Sequence, residues 1–195
     1  RPLLDHALAL VSGAGLTRIA ANTHYLAERM TPELARRCIA EIHEPEILET
    51  GGGLRNALAL LGNGPLLTLN TDAVWTGANA VTALLQAWNP ARMDGLLVLV
   101  PCARATRHDG GGDFAMDGCA RLRRGGNWVY TGLQILKTDG LAAIAEQKFS
   151  LNLLWDRMLG QGRLYGFQHS GGWCDVGHPG SIPLAEALLR DAADV

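Results

Sequence analysis

Two acids and a run of glycines carry the chemistry this sequence offers. Asp72 follows Leu66-Leu67-Thr68-Leu69-Asn70-Thr71 and precedes Ala73-Val74-Trp75. The short apolar run reads as a buried strand, and Asp72 falls just past its carboxyl end. In an open α/β sheet that edge is where ligands bind. A carboxylate there suits a hard divalent cation, and it would serve equally as a helix cap or turn residue. Asp175, in Trp173-Cys174-Asp175-Val176-Gly177, also ends an apolar run, between glycines; its other reading is a turn-forming Asp. The third feature is Glu49-Thr50-Gly51-Gly52-Gly53 at a helix start. Glycines admit a ligand to the backbone, and the free amides and dipole of a helix start favour acceptors. Neither G-x-x-x-x-G-K-[ST] nor G-x-G-x-x-G is present, and three glycines would also make a tight turn. Two acids on different strand ends beside a glycine loop suggest a metal site for a phosphorylated ligand. A divalent ion held by two carboxylates would bridge phosphate oxygens.

The elements that must position these residues alternate between helix and strand. Leu3, Leu4, Ala7, Leu8 and Val11 lie at helical spacing, and Ser12-Gly13-Ala14-Gly15 closes that helix. A strand is expected over Arg18 to Asn22, and a helix over Tyr25 to Ile39 with a break at Thr31-Pro32. An extended piece at Glu46 to Glu49 leads into a helix over Leu54 to Leu61. A helix over Ala78 to Trp88 and a strand over Leu96 to Val100 follow Asp72. Strand–helix–strand spacing of this kind implies parallel pairing. Asp109 to Gly112 reads as a glycine-rich turn. Asp113 to Met116 and Ala120 to Leu122 read as hairpin arms around Asp117-Gly118. Trp128 to Leu136 is a long strand with Gly132 inside it, which marks close approach of a ligand or another backbone. Ser150 caps a helix over Leu151 to Leu159. Arg163 to Gln168 and Trp173 to Val176 are expected to form a hairpin, and Pro183 to Ala193 a closing helix. With no repeat, linker or low-complexity segment, residues 1–195 read as one domain.

Composition narrows the function classes. The 195 residues are 48% hydrophobic and 18% charged, which is the profile of a globular chain. A net charge of −2 gives no basic surplus to draw in nucleic acid, and Arg121, Arg123 and Arg124 read as a solvated turn. No apolar run approaches the roughly 20 residues of a membrane helix. No signal peptide is expected, and the sequence opens on Arg1 and not on an initiator Met. Cys38, Cys102, Cys119 and Cys174 form no C-x-x-C pair, which fits reduced thiols in a cytosol. Cys174 reads as a small buried hydrophobe. His24, His43, His108 and His169 have no Ser or Cys partner at recognisable spacing and read as surface or loop residues; His178 reads as a surface turn residue.

At this point the motifs resemble a family. The chain is similar to the sugar-1-phosphate nucleotidyltransferases, and within them to the small uridylyltransferases of bacterial peptidoglycan recycling. Leu48 to Gly53 resembles the family's base-binding loop, and Leu69 to Trp75 its Asn-Gly-Asp-Val-Trp stretch. Gly112-Asp113-Phe114, Tyr130-Thr131-Gly132-Leu133, Phe149-Ser150-Leu151-Asn152 and Trp173 to Gly177 match further family segments in order. The resemblance implies an α/β, Rossmann-like three-layer sandwich with a mostly parallel central sheet and a small hairpin subdomain. It implies transfer of a nucleotidyl group from a nucleoside triphosphate, UTP above others, to a sugar-1-phosphate, with Mg2+ as cofactor. Asp72 and Asp175 would be the magnesium ligands and catalytic residues. Glu49, Thr50, Gly51, Gly52, Gly53 and Asn70 would bind the nucleotide, and Asp113, Thr131, Gly132 and Asn152 the sugar. The family's N-terminal glycine-rich Arg loop and Pro-Lys-Pro motif have no counterpart here. Stretches around Ala40 to Glu46 and Arg124 to Trp128 are also short, and mobile segments missing from this sequence are the expected cause. Thr71 stands where Gly is frequent, and His178 where Thr is usual. Two rivals are a non-catalytic nucleotide-sugar-binding regulatory protein and a metal-dependent glycosyltransferase, the latter disfavoured because Asn70 breaks the Asp-x-Asp pattern.

Overall fold

The computed structural model describes residues 1–108 and 110–193, so Asp109 of the expected glycine-rich turn lies outside the described residues. The elements run α1 (Leu3–Gly13), β1 (Ala20–Thr23), α2 (Ala27–Arg36), β2 (Ala40–His43) and α3 (Glu49–Leu61). They continue with β3 (Leu66–Leu69), β4 (Ala73–Trp75), α4 (Ala80–Ala87), β5 (Gly95–Pro101) and β6 (Ala105–Thr106). Then come β7 (Phe114–Met116), β8 (Leu122–Arg124), β9 (Trp128–Leu136), α5 (Asn152–Gly160), β10 (Leu164–Gln168), β11 (Trp173–Asp175) and α6 (Ile182–Ala193). Among the described residues no helix is long and apolar enough to cross a membrane. The chain divides into two compact units.

The first unit comprises Arg1–Gly15, Leu67–Leu136 and Met158–Val195. Its larger sheet has the order β10-β5-β9-β7-β8, with β3 also on β9. The mostly parallel sheet expected from the sequence is not what forms. β5 runs parallel to β10, but β9 is antiparallel to β5 and β7, and β7 is antiparallel to β8. The reason lies in the connection. Among the described residues no helix longer than a single 3-10 turn separates Pro101 from Trp128, and a parallel return needs a crossover of a dozen residues or more, usually helical. The chain folds back through the β7–β8 hairpin instead. That hairpin was expected, and Asp117 shapes its turn by accepting from the amides of Cys119 and Arg121, both at 2.8 Å. β5 is buried from Gly95 through Val100, so its run of apolar residues faces packed neighbours on both sides.

The expected hairpin of β10 with β11 does not form either. β10 joins β5, while β11 lies in a separate three-stranded sheet between β4 and β6. Behind that sheet Val74, Cys174, Val176 and Ala185 make a buried cluster, onto which Leu3 of α1 and Leu188 and Leu189 of α6 pack. Cys174 is the buried hydrophobe its neighbours suggest, and burial pushes its thiol pKa up. Asn79 caps α4, accepting from the amides of Val81 and Thr82 and donating to Leu10 O of α1 at 2.9 Å. One side chain therefore starts a helix and ties two helices together.

The second unit comprises Leu16–Leu66 and Lys137–Arg157. Here β1 and β2 pair in parallel across α2, with Ala20 opposite Ala40, whereas β3, expected to lead through α4 into a parallel β5, pairs with β9. The extended piece is β2 at Ala40–His43, however, and not at Glu46 to Glu49. α2 runs through Pro32 without breaking at Thr31-Pro32, which costs it one amide donor near its middle. α3 begins at Glu49, so the glycines form its first turns instead of preceding it. Glycine is a poor helix former, but packing decides here. A methyl on Gly51 would run into the Phe149 ring and reach 2.9 Å from Phe149 O. One on Gly52 would lie 2.5 Å from Gln147 O, and one on Gly53 2.7 Å from Glu44 Oε1. Arg55 fastens the facing segment, donating to Ile144 O at 2.7 Å and lying over the Phe149 ring.

Candidate active site

In the first unit the two acids meet. β11 pairs with β4 so that Asp175 faces Ala73, the residue after Asp72. The Val176 amide donates to Asp72 O at 2.6 Å, which locks the two strand ends together. The carboxylates share one glycine: a methyl on Gly177 would sit 3.0 Å from Asp175 Oδ1 and 3.6 Å from Asp72 Oδ2. The Gly177 amide donates to Asp175 Oδ1 at 2.7 Å and fixes its direction. Asp72 is exposed and Asp175 half-buried, so both are open to a ligand. Among the described residues no group of three or more His, Cys, Asp or Glu side chains is placed to hold a metal. The donor set here is two hard carboxylates. That suits a cation which completes its shell with water and phosphate oxygens.

Asn70 and Gly132 also meet. The Asn70 amide donates to Gly132 O at 3.0 Å, and the Asn70 side chain lies where a β-carbon on Gly132 would go, 2.7 Å from Asn70 Cβ. The glycine expected to admit a ligand or another backbone admits this neighbouring segment. Gly132 has φ +85°, at a register irregularity in which Leu97 pairs with Gln134 but Leu99 with Tyr130. The bulge frees Val98 O, and the buried Thr131 hydroxyl donates to it at 2.7 Å. Thr131 thus faces the core. Asp113 is exposed; its Oδ2 accepts from the Tyr130 amide at 2.7 Å and steadies β9 just before Thr131.

In the second unit the start of α3 is already partly engaged. Phe149 O accepts from the amides of Gly51 at 2.9 Å and Gly52 at 3.1 Å. Thr50 Oγ1 accepts from the Leu151 amide at 3.0 Å, while Ser150 Oγ accepts from the amide of Asn152 at 3.2 Å and caps α5 as expected. Glu49 and Thr50 remain exposed, and Glu49 takes a left-handed backbone with φ +60°. A non-glycine residue there costs about 1–2 kcal/mol, and such strain is typical of binding loops.

Two residues escaped the sequence reading. Glu44 is 7% exposed and sits under Asn22. Nothing local separates it from Glu41, Glu46 or Glu49; only the β1–β2 pairing puts it there. His169 follows β10 in a loop, as expected, but is buried and not a surface group. It donates through Nε2 to Thr76 O at 3.1 Å and meets Trp75 edge to face. Burial holds its pKa below the usual imidazole value. His178 is exposed, and its Nδ1 accepts from the Gly180 amide at 3.2 Å, as suits a turn residue.

Comparison with known proteins supplies the family. No family model matches the chain. It is 36% identical over 208 residues, 98% of this chain and 86% of the relative, to N-acetylmuramate alpha-1-phosphate uridylyltransferase of Caulobacter vibrioides. It is 31% identical over 202 residues, 96% of this chain and 85% of the relative, to the protein of the same name from Neisseria meningitidis serogroup B. Among solved structures, a putative glucose-1-phosphate thymidylyltransferase from Bacillus anthracis superposes with a TM-score of 0.75 at 15% identity, covering 97% of this chain and 83% of that one. HddC from Yersinia pseudotuberculosis complexed with GMP-PN gives 0.72 at 19%, covering 94% and 83%. Inositol-1-phosphate CTP transferase from T. maritima gives 0.72 at 11%, covering 96% and 82%. These structural likenesses establish a shared mixed α/β fold, and the sequence identities establish descent: the chain belongs to the sugar-1-phosphate nucleotidyltransferase family, alongside the N-acetylmuramate α-1-phosphate uridylyltransferases.

Proposed function

We propose that this protein makes a nucleotide sugar and pyrophosphate from UTP and a sugar-1-phosphate. The observation that carries the reading is the pair Asp72 and Asp175, converging on Gly177 from two strand ends. A phosphate oxygen of the sugar-1-phosphate attacks the α-phosphorus of UTP; a P–O bond forms and the bond to pyrophosphate breaks. Such a reaction asks the protein for positioning and charge stabilisation and needs no covalent nucleophile. Asp72 and Asp175 would hold Mg2+, which when bound neutralises phosphate charge. Glu49, Thr50 and Gly51 to Gly53 are our candidates for the base, with Asn70 beside the nucleotide. Asp113, Thr131, Gly132 and Asn152 are our candidates for the sugar, Thr131 acting through the backbone it anchors. N-acetylmuramate-1-phosphate is the sugar phosphate to test first, since both sequence relatives carry its name. We read both units as parts of one Rossmann-like catalytic domain working in the cytoplasm, where the four free cysteines stay reduced.

The test is pyrophosphate release from a panel of triphosphates and sugar-1-phosphates with magnesium. UTP should give the highest kcat/KM. Asp72→Ala and Asp175→Ala should each lower it by roughly a hundred-fold or more while leaving the thermal unfolding midpoint near that of the parent. Full activity in both variants would overturn the assignment.

A further inference from the structure

We propose that Glu44 is a positioning residue for nucleotide binding: with Asn22 it clamps both ends of the Glu49–Gly53 segment that opens α3. The inference rests on the reading of that segment as the base site. Glu44 Oε1 accepts from Asn22 Nδ2 at 2.5 Å, and Oε2 accepts from the Leu48 amide at 3.1 Å, immediately before Glu49. Asn22 Nδ2 also donates to Gly53 O at 3.3 Å, at the far end. The carboxylate fills the space over Gly53 so closely that a methyl there would lie 2.7 Å from Oε1 and 3.0 Å from Asn22 Nδ2.

Glu44 is itself held firmly. Its amide donates to Thr23 O at 2.8 Å, extending the β1–β2 ladder, and its carbonyl accepts from His24 Nδ1 at 2.7 Å. Leu48 is gripped on its other side as well, because its carbonyl accepts from the Phe149 amide at 3.1 Å. Glu49 follows with its left-handed backbone. A strained residue persists only where its neighbours over-determine it, and the grips on Leu48 and Gly53 do that here.

A buried carboxylate is a poor choice for stability alone, since an apolar side chain of similar volume often does as well. What a carboxylate adds is two acceptors at fixed positions. Glutamine keeps the size but not both acceptors. It can receive Asn22 or Leu48; if Asn22 flips to compensate, its oxygen meets Gly53 O.

The test uses the purified full chain and steady-state kinetics. Glu44→Gln and Asn22→Ala should each raise KM for UTP by roughly ten- to a hundred-fold, the size of one charge-assisted hydrogen bond. KM for the sugar-1-phosphate and kcat at saturation should stay within about two-fold, inside the scatter expected for an uncoupled site. The double variant should be no worse than the poorer single, because both act through one bridge. An unchanged KM for UTP in the singles, a parallel rise in both KM values, or additive losses in the double would each overturn the proposal. Calorimetric titration of the parent protein with UTP alone separates the two levels. If the parent fails to bind UTP, the base-site reading falls and the clamp with it. If the parent binds and Glu44→Gln binds equally well, only the clamp is wrong.

Discussion

Replacing Gly132 with alanine tests the contact between Asn70, just past β3, and the Thr131–Gly132 segment of β9. Two costs add. The first is conformational: φ is +85°, and a β-carbon in the left-handed region costs about 1–2 kcal/mol. The second is steric. The new methyl would stand 2.7 Å from Asn70 Cβ and 2.8 Å from Asn70 Cγ, and overpacking of this kind costs about 1–3 kcal/mol. The Asn70 amide bond to Gly132 O pins the two segments, so neither withdraws freely. The total is about 2–5 kcal/mol, and for a chain of this size each kcal/mol lowers the unfolding midpoint by about 2–4 °C. Gly132→Ala should therefore lower Tm by roughly 4–20 °C, measured by circular dichroism. Adding Asn70→Gly removes the atoms that collide and should recover the steric share, leaving the conformational share in place. A Tm for Gly132→Ala within about 1 °C of the parent would refute the packing, as even the smallest combined cost lowers it by about 4 °C. A double variant as poor as the single would show that Asn70 is not the obstacle.

Gly171→Ala should be worse still: the added methyl lands on the Thr76 carbonyl and 2.6 Å from His169 Nε2, so the expected result is insoluble protein or a Tm drop larger than that of Gly132→Ala. His169 predicts a pH dependence. Burial lowers its pKa in the folded protein, so the neutral ring is the folded form. Its contribution is present above the unfolded value of about 6.5 and is lost as pH falls below it. Thermal unfolding at about pH 7.5 and pH 5.5 should show a smaller drop in His169→Gln than in the parent. A glutamine amide can still donate to Thr76 O, and equal drops in the two proteins would refute the reasoning.

Local signals made part of this molecule legible. The helical spacing in α1, the Asp117-Gly118 turn, the Ser150 cap and the strand before Asp72 all depend on residues near in sequence, and each formed. The two acids were legible as well, because an acid ending an apolar run is a local pattern. That they share Gly177 was not, because it depends on β11 choosing β4 over β10.

Non-local choices went the other way. Antiparallel pairing of β9 follows from the lack of a crossover helix before Trp128, which leaves the hairpin route as the way back. Three glycines inside α3 break the propensity rule, because Phe149, Gln147 and Glu44 occupy the space where β-carbons would lie. The hydrogen bonds that hold the buried Glu44 and His169 likewise come from partners far along the chain, Asn22 and Thr76. Residue types and short spacings determined which groups could do chemistry and roughly which elements carry them. Only the tertiary structure decided which meet, because pairing partners and buried volume belong to the folded chain and not to any window of it.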